Sequence, residues 1–143
     1  MRIAVQPEPF DQAEALRGFG GTAGAIVTFT GVVRDDTGRM QALELEHYPG
    51  MTERAITAIA GEAQVRWSLS DVLVIHRYGR LAVGEQIMMV ATAARHRREA
   101  FEAAEFLMDF LKSRAPFWKK EIGPDGQSWV AAKDSDEDAL RRW

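Results

Sequence analysis

The stretch Lys112-Ser113-Arg114-Ala115-Pro116-Phe117-Trp118-Lys119-Lys120-Glu121 joins the strongest helical pattern of the chain to an extended segment. Pro116 disfavours the helical region for Ala115, so the helix is expected to stop near Arg114. Beyond the proline, strand alternation sets Phe117, Lys119 and Glu121 on one face and Trp118, Lys120 and Ile122 on the other. Cations therefore crowd a helix-to-strand corner beside two large aromatics. Lysines against apolar surface can have lowered pKa values and act in proton transfer or as nucleophiles. The structural alternative is a fringe of lysines snorkelling from a core-facing strand.

On the N-terminal side of the corner, Arg97 to Arg114 reads as the long helix. Phe101, Ala104, Met108 and Leu111 form one apolar face, and Phe106 and Phe110 widen it, which predicts burial on two sides. On the C-terminal side, Phe117–Ile122 and Gln127–Ala131 flank Pro124-Asp125-Gly126, a hairpin turn. Asp134 to Trp143 reads as a short helix with an acidic N-terminus.

Further upstream, Asp71–Arg80 and Glu85–Ala94 read as two strands joined by Leu81-Ala82-Val83-Gly84, the second apolar on both faces and therefore central. Thr52–Trp67 reads as a helix with Ala55, Ile56, Ile59, Ala63 and Trp67 as its stripe. Gly24–Arg34 and Met40–Tyr48 read as strands expected to pair as an antiparallel hairpin around a polar loop at 35–39. Arg2–Gln6 is a first strand, and Phe10–Phe19 a helix with Asp11 as its cap. Gly18, Gly20, Gly21 and Gly24 form a loop with no Gly-Lys-Ser/Thr after it, so no phosphate-binding loop is expected. The order β-α-β-β-α-β-β-α-β-β-α predicts an α+β sandwich, with helices covering antiparallel sheet.

A chain of 143 residues suits one domain spanning 1–143, with a real core. A net charge of −3 supplies no global drive toward nucleic acid, so anion binding has to come from a local patch. No apolar run is long enough for a membrane span and no signal peptide is visible, so a cytoplasmic location is expected. The absence of cysteine excludes disulfides, thiolate metal sites and cysteine nucleophiles.

Arg95-His96-Arg97-Arg98 stands where a strand ends and a helix begins, where free N–H groups and the helix dipole favour an anion. A solvent-exposed arginine-rich turn is the alternative reading. Arg34, at a strand end before a loop, is a second anion candidate. His47 and His76 lie within strands without metal-ligand spacing, and a structural role is expected for each; no metal site is predicted.

Phe29-Thr30-Gly31-Val32-Val33-Arg34, Leu45-Glu46-His47-Tyr48-Pro49-Gly50-Met51, Val74-Ile75-His76-Arg77 and the Lys112–Glu121 stretch together resemble the MoaE family, the large catalytic subunit of molybdopterin synthase. The resemblance runs from about Pro7 to Arg142-Trp143. It implies an α/β hammerhead-like fold with an additional antiparallel β-sheet. It also implies a sulfurtransferase of molybdenum cofactor biosynthesis, which converts cyclic pyranopterin monophosphate to the dithiolene of molybdopterin. The sulfur would come from the thiocarboxylated C-terminus of a small ubiquitin-like subunit, bound at each end of a homodimer to make a heterotetramer. No cofactor is implied.

By the same resemblance, Lys112 and Lys119 are the catalytic lysines. Val32, Val33, Arg34, His96, Arg97, Lys120 and Glu121 join them as substrate contacts. Lys133 stands where some members carry arginine, which argues against a bidentate grip on phosphate. A chain without cysteine cannot carry sulfur as its own persulfide, which fits an external donor. The apolar surplus of Phe106, Phe110 and Trp143 is expected at a subunit interface.

Overall fold

A computed structural model describes residues Met1–Trp143. The elements are β1 (Arg2–Gln6), α1 (Gln12–Ala15), β2 (Ala25–Val32), β3 (Ala42–His47), α2 (Met51–Arg66), β4 (Asp71–Arg77), β5 (Gly79–Ala82), β6 (Gln86–Ala94), α3 (Arg97–Ser113), β7 (Phe117–Gly123), β8 (Gly126–Trp129) and α4 (Asp134–Leu140). They build two four-stranded sheets, β1-β4-β6-β2 and β5-β3-β7-β8. The first is antiparallel apart from the parallel β1–β4 pair. The second is antiparallel throughout. The α+β class and the additional antiparallel sheet are thus both present.

The first sheet carries the main core. Val72, Val74, Met88 and Val90 lie under Ile56, Ala60 and Ala63 of α2 and Ala103, Phe106 and Leu107 of α3. The opposite face of the same sheet, with Leu73, Ile75, Met89 and Ala91, is covered by Ala15, Phe10, Leu16 and Phe19. β6 is apolar on both faces because it is an inner strand with cover on each.

Five expectations need correction. The segments β2 and β3 do not pair: β2 joins β6 in the first sheet, and β3 joins β5 and β7 in the second. The chain crosses between sheets at Val33, which is buried with Leu43, Leu45 and Leu81. There the Val33 N–H donates to Glu85 O at 2.8 Å and the Gly84 N–H donates to Val33 O at 2.9 Å, so the crossing is pinned rather than looped. Residues expected as one long β4 and a connection instead include a separate strand, β5, on the edge of the second sheet, reached through Gly79 at φ +93°.

The helix expected over Phe10–Phe19 is one turn, capped by Asp11, whose carboxylate accepts from the Glu14 N–H at 2.9 Å. Gly18, Gly20 and Gly21, all at positive φ, end it, yet Phe10, Leu16 and Phe19 still reach the core.

On α3 the buried face is Ala100, Ala103, Ala104, Phe106, Leu107 and Leu111, while Phe101 is 61% exposed. The aromatics expected at an interface pack on one another instead: Phe106 is fully buried and meets Trp67, Phe110 and Trp143. The Trp143 indole N–H donates to Asp109 Oδ2 at 2.6 Å, which ties the end of the chain to α3. α3 is therefore covered on two sides, by the sheet and by α2 and α4.

Candidate active site

The corner forms because α3 runs out of intrahelical partners at Pro116. The Arg114 and Ala115 N–H groups both donate to Phe110 O, at 2.7 and 3.2 Å, which closes the helix before the proline. A buried hydroxyl then holds the corner down. Thr52 Oγ1 donates to Pro116 O at 3.0 Å and accepts from the Tyr48 N–H at 3.0 Å. The turn at Tyr48-Pro49-Gly50-Met51 is shaped for this docking. Gly50 sits at φ +81°, and its N–H donates to Glu53 Oε2 at 2.6 Å. Two stretches far apart in sequence are thus joined through one threonine.

β7 continues from the corner beside β3, with His47 opposite Phe117, Leu45 opposite Lys119 and Leu43 opposite Glu121. Cross-strand partners share a face, so Lys119 rises beside the buried Leu45. Its ammonium is held below the usual lysine range by burial first and then by the charge of Lys112; Asp136 opposes the shift and Lys133 adds to it. Lys112, exposed in the last turn of α3, Lys133, at the N-cap of α4, and Asp136 therefore gather around Lys119. Lys112 and Lys119 take part in none of the salt bridges of the chain.

Beneath them lies His76, 6% exposed, stacked on Phe117 with ring centroids 3.7 Å apart and planes 17° from parallel. Burial pushes its pKa down to about 4, and the charges of Lys119, Lys112 and His47 act in the same direction against the bond to Arg77 O. His47 stacks on Tyr78 at 4.0 Å and stands 3.8 Å from Glu53.

The other expected contacts are scattered. Lys120 points from the opposite face of β7, its Nζ 3.2 Å from Glu46 Oε1 and 4.6 Å from the centre of the Trp129 ring. It is neutralised there, away from Lys119. Glu121 lines a polar cleft with Thr37, Arg39, Met40, Gln127 and Ser128. Val33 is 2% exposed with its backbone N–H and C=O both bonded, so neither side chain nor backbone is free for a substrate; Val32 is exposed on edge strand β2. Arg34 is exposed, its Nε 2.7 Å from Asp36 Oδ1. The loop after it is organised by Asp35, whose carboxylate accepts from the Thr37, Gly38 and Met40 N–H groups.

His96 caps α3 without a side-chain hydrogen bond, and Arg97 follows it, both exposed. They stand at the opposite end of α3 from Lys112, fifteen residues away, or about 22 Å at 1.5 Å per residue. One copy of the chain therefore cannot bring His96, Arg97 and Lys112 onto one small substrate. Thr52 and Asp136 are the residues of the corner that sequence reasoning did not single out, and His76 it read only as structural. The His76-Arg77 pair inside an otherwise apolar strand was the available signal.

A sequence model of the MoaE protein family matches residues 5–114. The chain is 65% identical to the molybdopterin synthase catalytic subunit of Cereibacter sphaeroides, with all of both chains covered. It superposes with a TM-score of 0.83 on the molybdopterin biosynthesis MoaE protein of Burkholderia ambifaria, at 51% identity over 99% of this chain and 97% of that one. It also superposes, again at 0.83, on molybdopterin synthase from Staphylococcus aureus, at 31% identity over 90% and 96% of the two chains. Family match, full-length identity and superposition agree on one assignment, and the chain belongs to the MoaE family, that of the molybdopterin synthase catalytic subunits.

Proposed function

We propose that residues 1–143 act as one catalytic unit that moves sulfur from the thiocarboxylate of a small ubiquitin-like subunit to cyclic pyranopterin monophosphate, with Lys112 and Lys119 as the catalytic pair. The observation that carries this reading is Lys119: a half-buried ammonium beside a second lysine, with lowered proton affinity and no ion-pair partner. Such a group holds an anionic phosphate or thiocarboxylate, and it releases a proton more readily than an ordinary lysine as oxygen leaves. The curated relatives are named as catalytic subunits, which supports a separate subunit as sulfur donor.

The 22 Å between the ends of α3 supports a homodimer in which His96 and Arg97 of one copy serve the lysines of the other. Ile26, Phe29 and Val32 along edge strand β2 and Phe101 on α3 are exposed, and such a contact would cover apolar surface of this kind. Arg34 joins the substrate contacts on this reading by exchanging Asp36 for phosphate. The cytoplasm is the compartment proposed for the reaction; no helix of the chain is long and apolar enough to cross a membrane.

The test is dithiolene formation by purified chain, thiocarboxylated partner and pterin precursor. Lys119→Ala and Lys112→Ala are each expected to lose about 10²–10⁴ in rate with partner binding intact. Mixing Lys119→Ala with a His96→Ala/Arg97→Ala chain restores activity if the site is shared between copies. Full activity in both lysine variants refutes the assignment.

A further inference from the structure

We propose that Asp36 tunes the affinity of the synthase for its phosphorylated substrate, as an internal anion that occupies Arg34 until a phosphate displaces it. The inference rests on the reading of Arg34 as a phosphate contact and adds a residue that opposes it. The Asp36 carboxylate meets one edge of the guanidinium at two points. Arg34 Nε stands 2.7 Å from Oδ1, and Nη2 donates to Oδ2 at 3.2 Å. A guanidinium grips a phosphate with the same two-point geometry. A phosphate oxygen arriving at Nη1 would find the charge cancelled and a carboxylate beside it. Full engagement of Arg34 therefore requires Asp36 to leave.

The loop is built to present Asp36 at this place. Val33 before it is pinned to Glu85 and Gly84, and after it the Gln41 N–H donates to Ile122 O at 2.7 Å. Between these anchors the Asp35 carboxylate gathers the Thr37, Gly38 and Met40 N–H groups together with the Thr37 hydroxyl. Arg39, the other cation of the loop, is engaged by Asp125 Oδ2 at 3.4 Å, so Asp36 is left with Arg34. The side chains of Arg34 and Asp36 are 76% and 70% exposed, and water screens the pair down to the strength of a surface ion pair. A contact this weak yields to a phosphate dianion, yet it takes a share of the incoming ligand's affinity. The same carboxylate reclaims the guanidinium when a phosphorylated ligand leaves.

The experiment titrates cyclic pyranopterin monophosphate into the complete synthase by calorimetry, with a small subunit that carries no sulfur, so that binding is read without turnover. Wild type is compared with Asp36→Ala, with Arg34→Ala and with the double variant. Asp36→Ala should tighten binding by about two- to fivefold, the worth of an exposed ion pair. In the Arg34→Ala background the same substitution should bring no gain of that size, because there is no guanidinium to release. The gain should shrink as salt is raised. The dephosphorylated pterin should bind wild type and Asp36→Ala alike.

Both side chains are exposed, so neither truncation should disturb the fold. Unchanged or weaker affinity in Asp36→Ala, with Arg34→Ala weakened, overturns the inference and leaves Arg34 as a contact. An equal gain in both backgrounds also overturns it, since Asp36 would then act through its charge on the whole site and not through Arg34. Wild-type affinity in Arg34→Ala removes the phosphate contact, and this inference with it.

Discussion

Acid should weaken this fold at one buried imidazole above all, and the size of that contribution follows from its surroundings. His76 titrates at about 4 when folded, against 6.5 for an unperturbed histidine. The folded value is the lower one, so between these limits the unfolded chain binds more protons. The stability is whole above pH 6.5 and is lost as the pH falls toward 4. At 1.36 kcal/mol per pH unit the complete loss is about 3.4 kcal/mol, of which about 2.5 kcal/mol is gone at pH 4.5.

The assay is urea unfolding of wild type and His76→Phe at one protein concentration, because oligomer stability depends on it. Glu102, bound by Trp67 and Arg98, and Glu137, bound by Arg114, also have lowered pKa values and lose stability in acid, but equally in both proteins. The difference between the two curves therefore isolates the imidazole. With a urea slope of about 1–3 kcal/mol per M, the wild-type midpoint should fall by roughly 1–2 M more than that of His76→Phe between pH 7.5 and 4.5. Midpoints that fall in parallel would show that His76 is not desolvated as its burial implies.

Thr52→Val, nearly equal in volume, leaves Pro116 O and the Tyr48 N–H without their buried partner. It should cost about 1–3 kcal/mol in urea unfolding and lower synthase activity by loosening the corner. Lys119→Arg keeps the charge but cannot adjust its proton affinity, so a rate loss of about 10²–10⁴ is expected. Wild-type rates in Lys119→Arg would leave Lys119 a purely electrostatic role.

Local patterns were legible where one segment contained its own explanation. The long helix begins at Arg97 as expected and ends at Ser113, beside the expected Arg114, because proline geometry acts on the residue before it. The hairpin around Pro124-Asp125-Gly126 formed for the same reason, its turn chemistry being local. Phe101 was misplaced because a helical wheel shows an apolar arc wider than the buried face, and only the packing of α2, α4 and the sheet selects Phe106 as its centre.

Sequence by itself determined the longer elements, though not β5 or the shortness of α1, together with the end of α3 and the alternation of β7, and with them the separation of Lys119 from Lys120. Each depends on backbone sterics within a few residues. Only the tertiary structure decided that β2 and β3 belong to different sheets, since alternation marks a buried face without naming the partner strand. It alone put Thr52 under Pro116 and His76 under Phe117, contacts made across 64 and 41 positions of chain. It alone set His96 and Arg97 a helix length away from Lys112. A charge or lone pair acts through space, and which residues share that space is settled by how the sheets and helices pack.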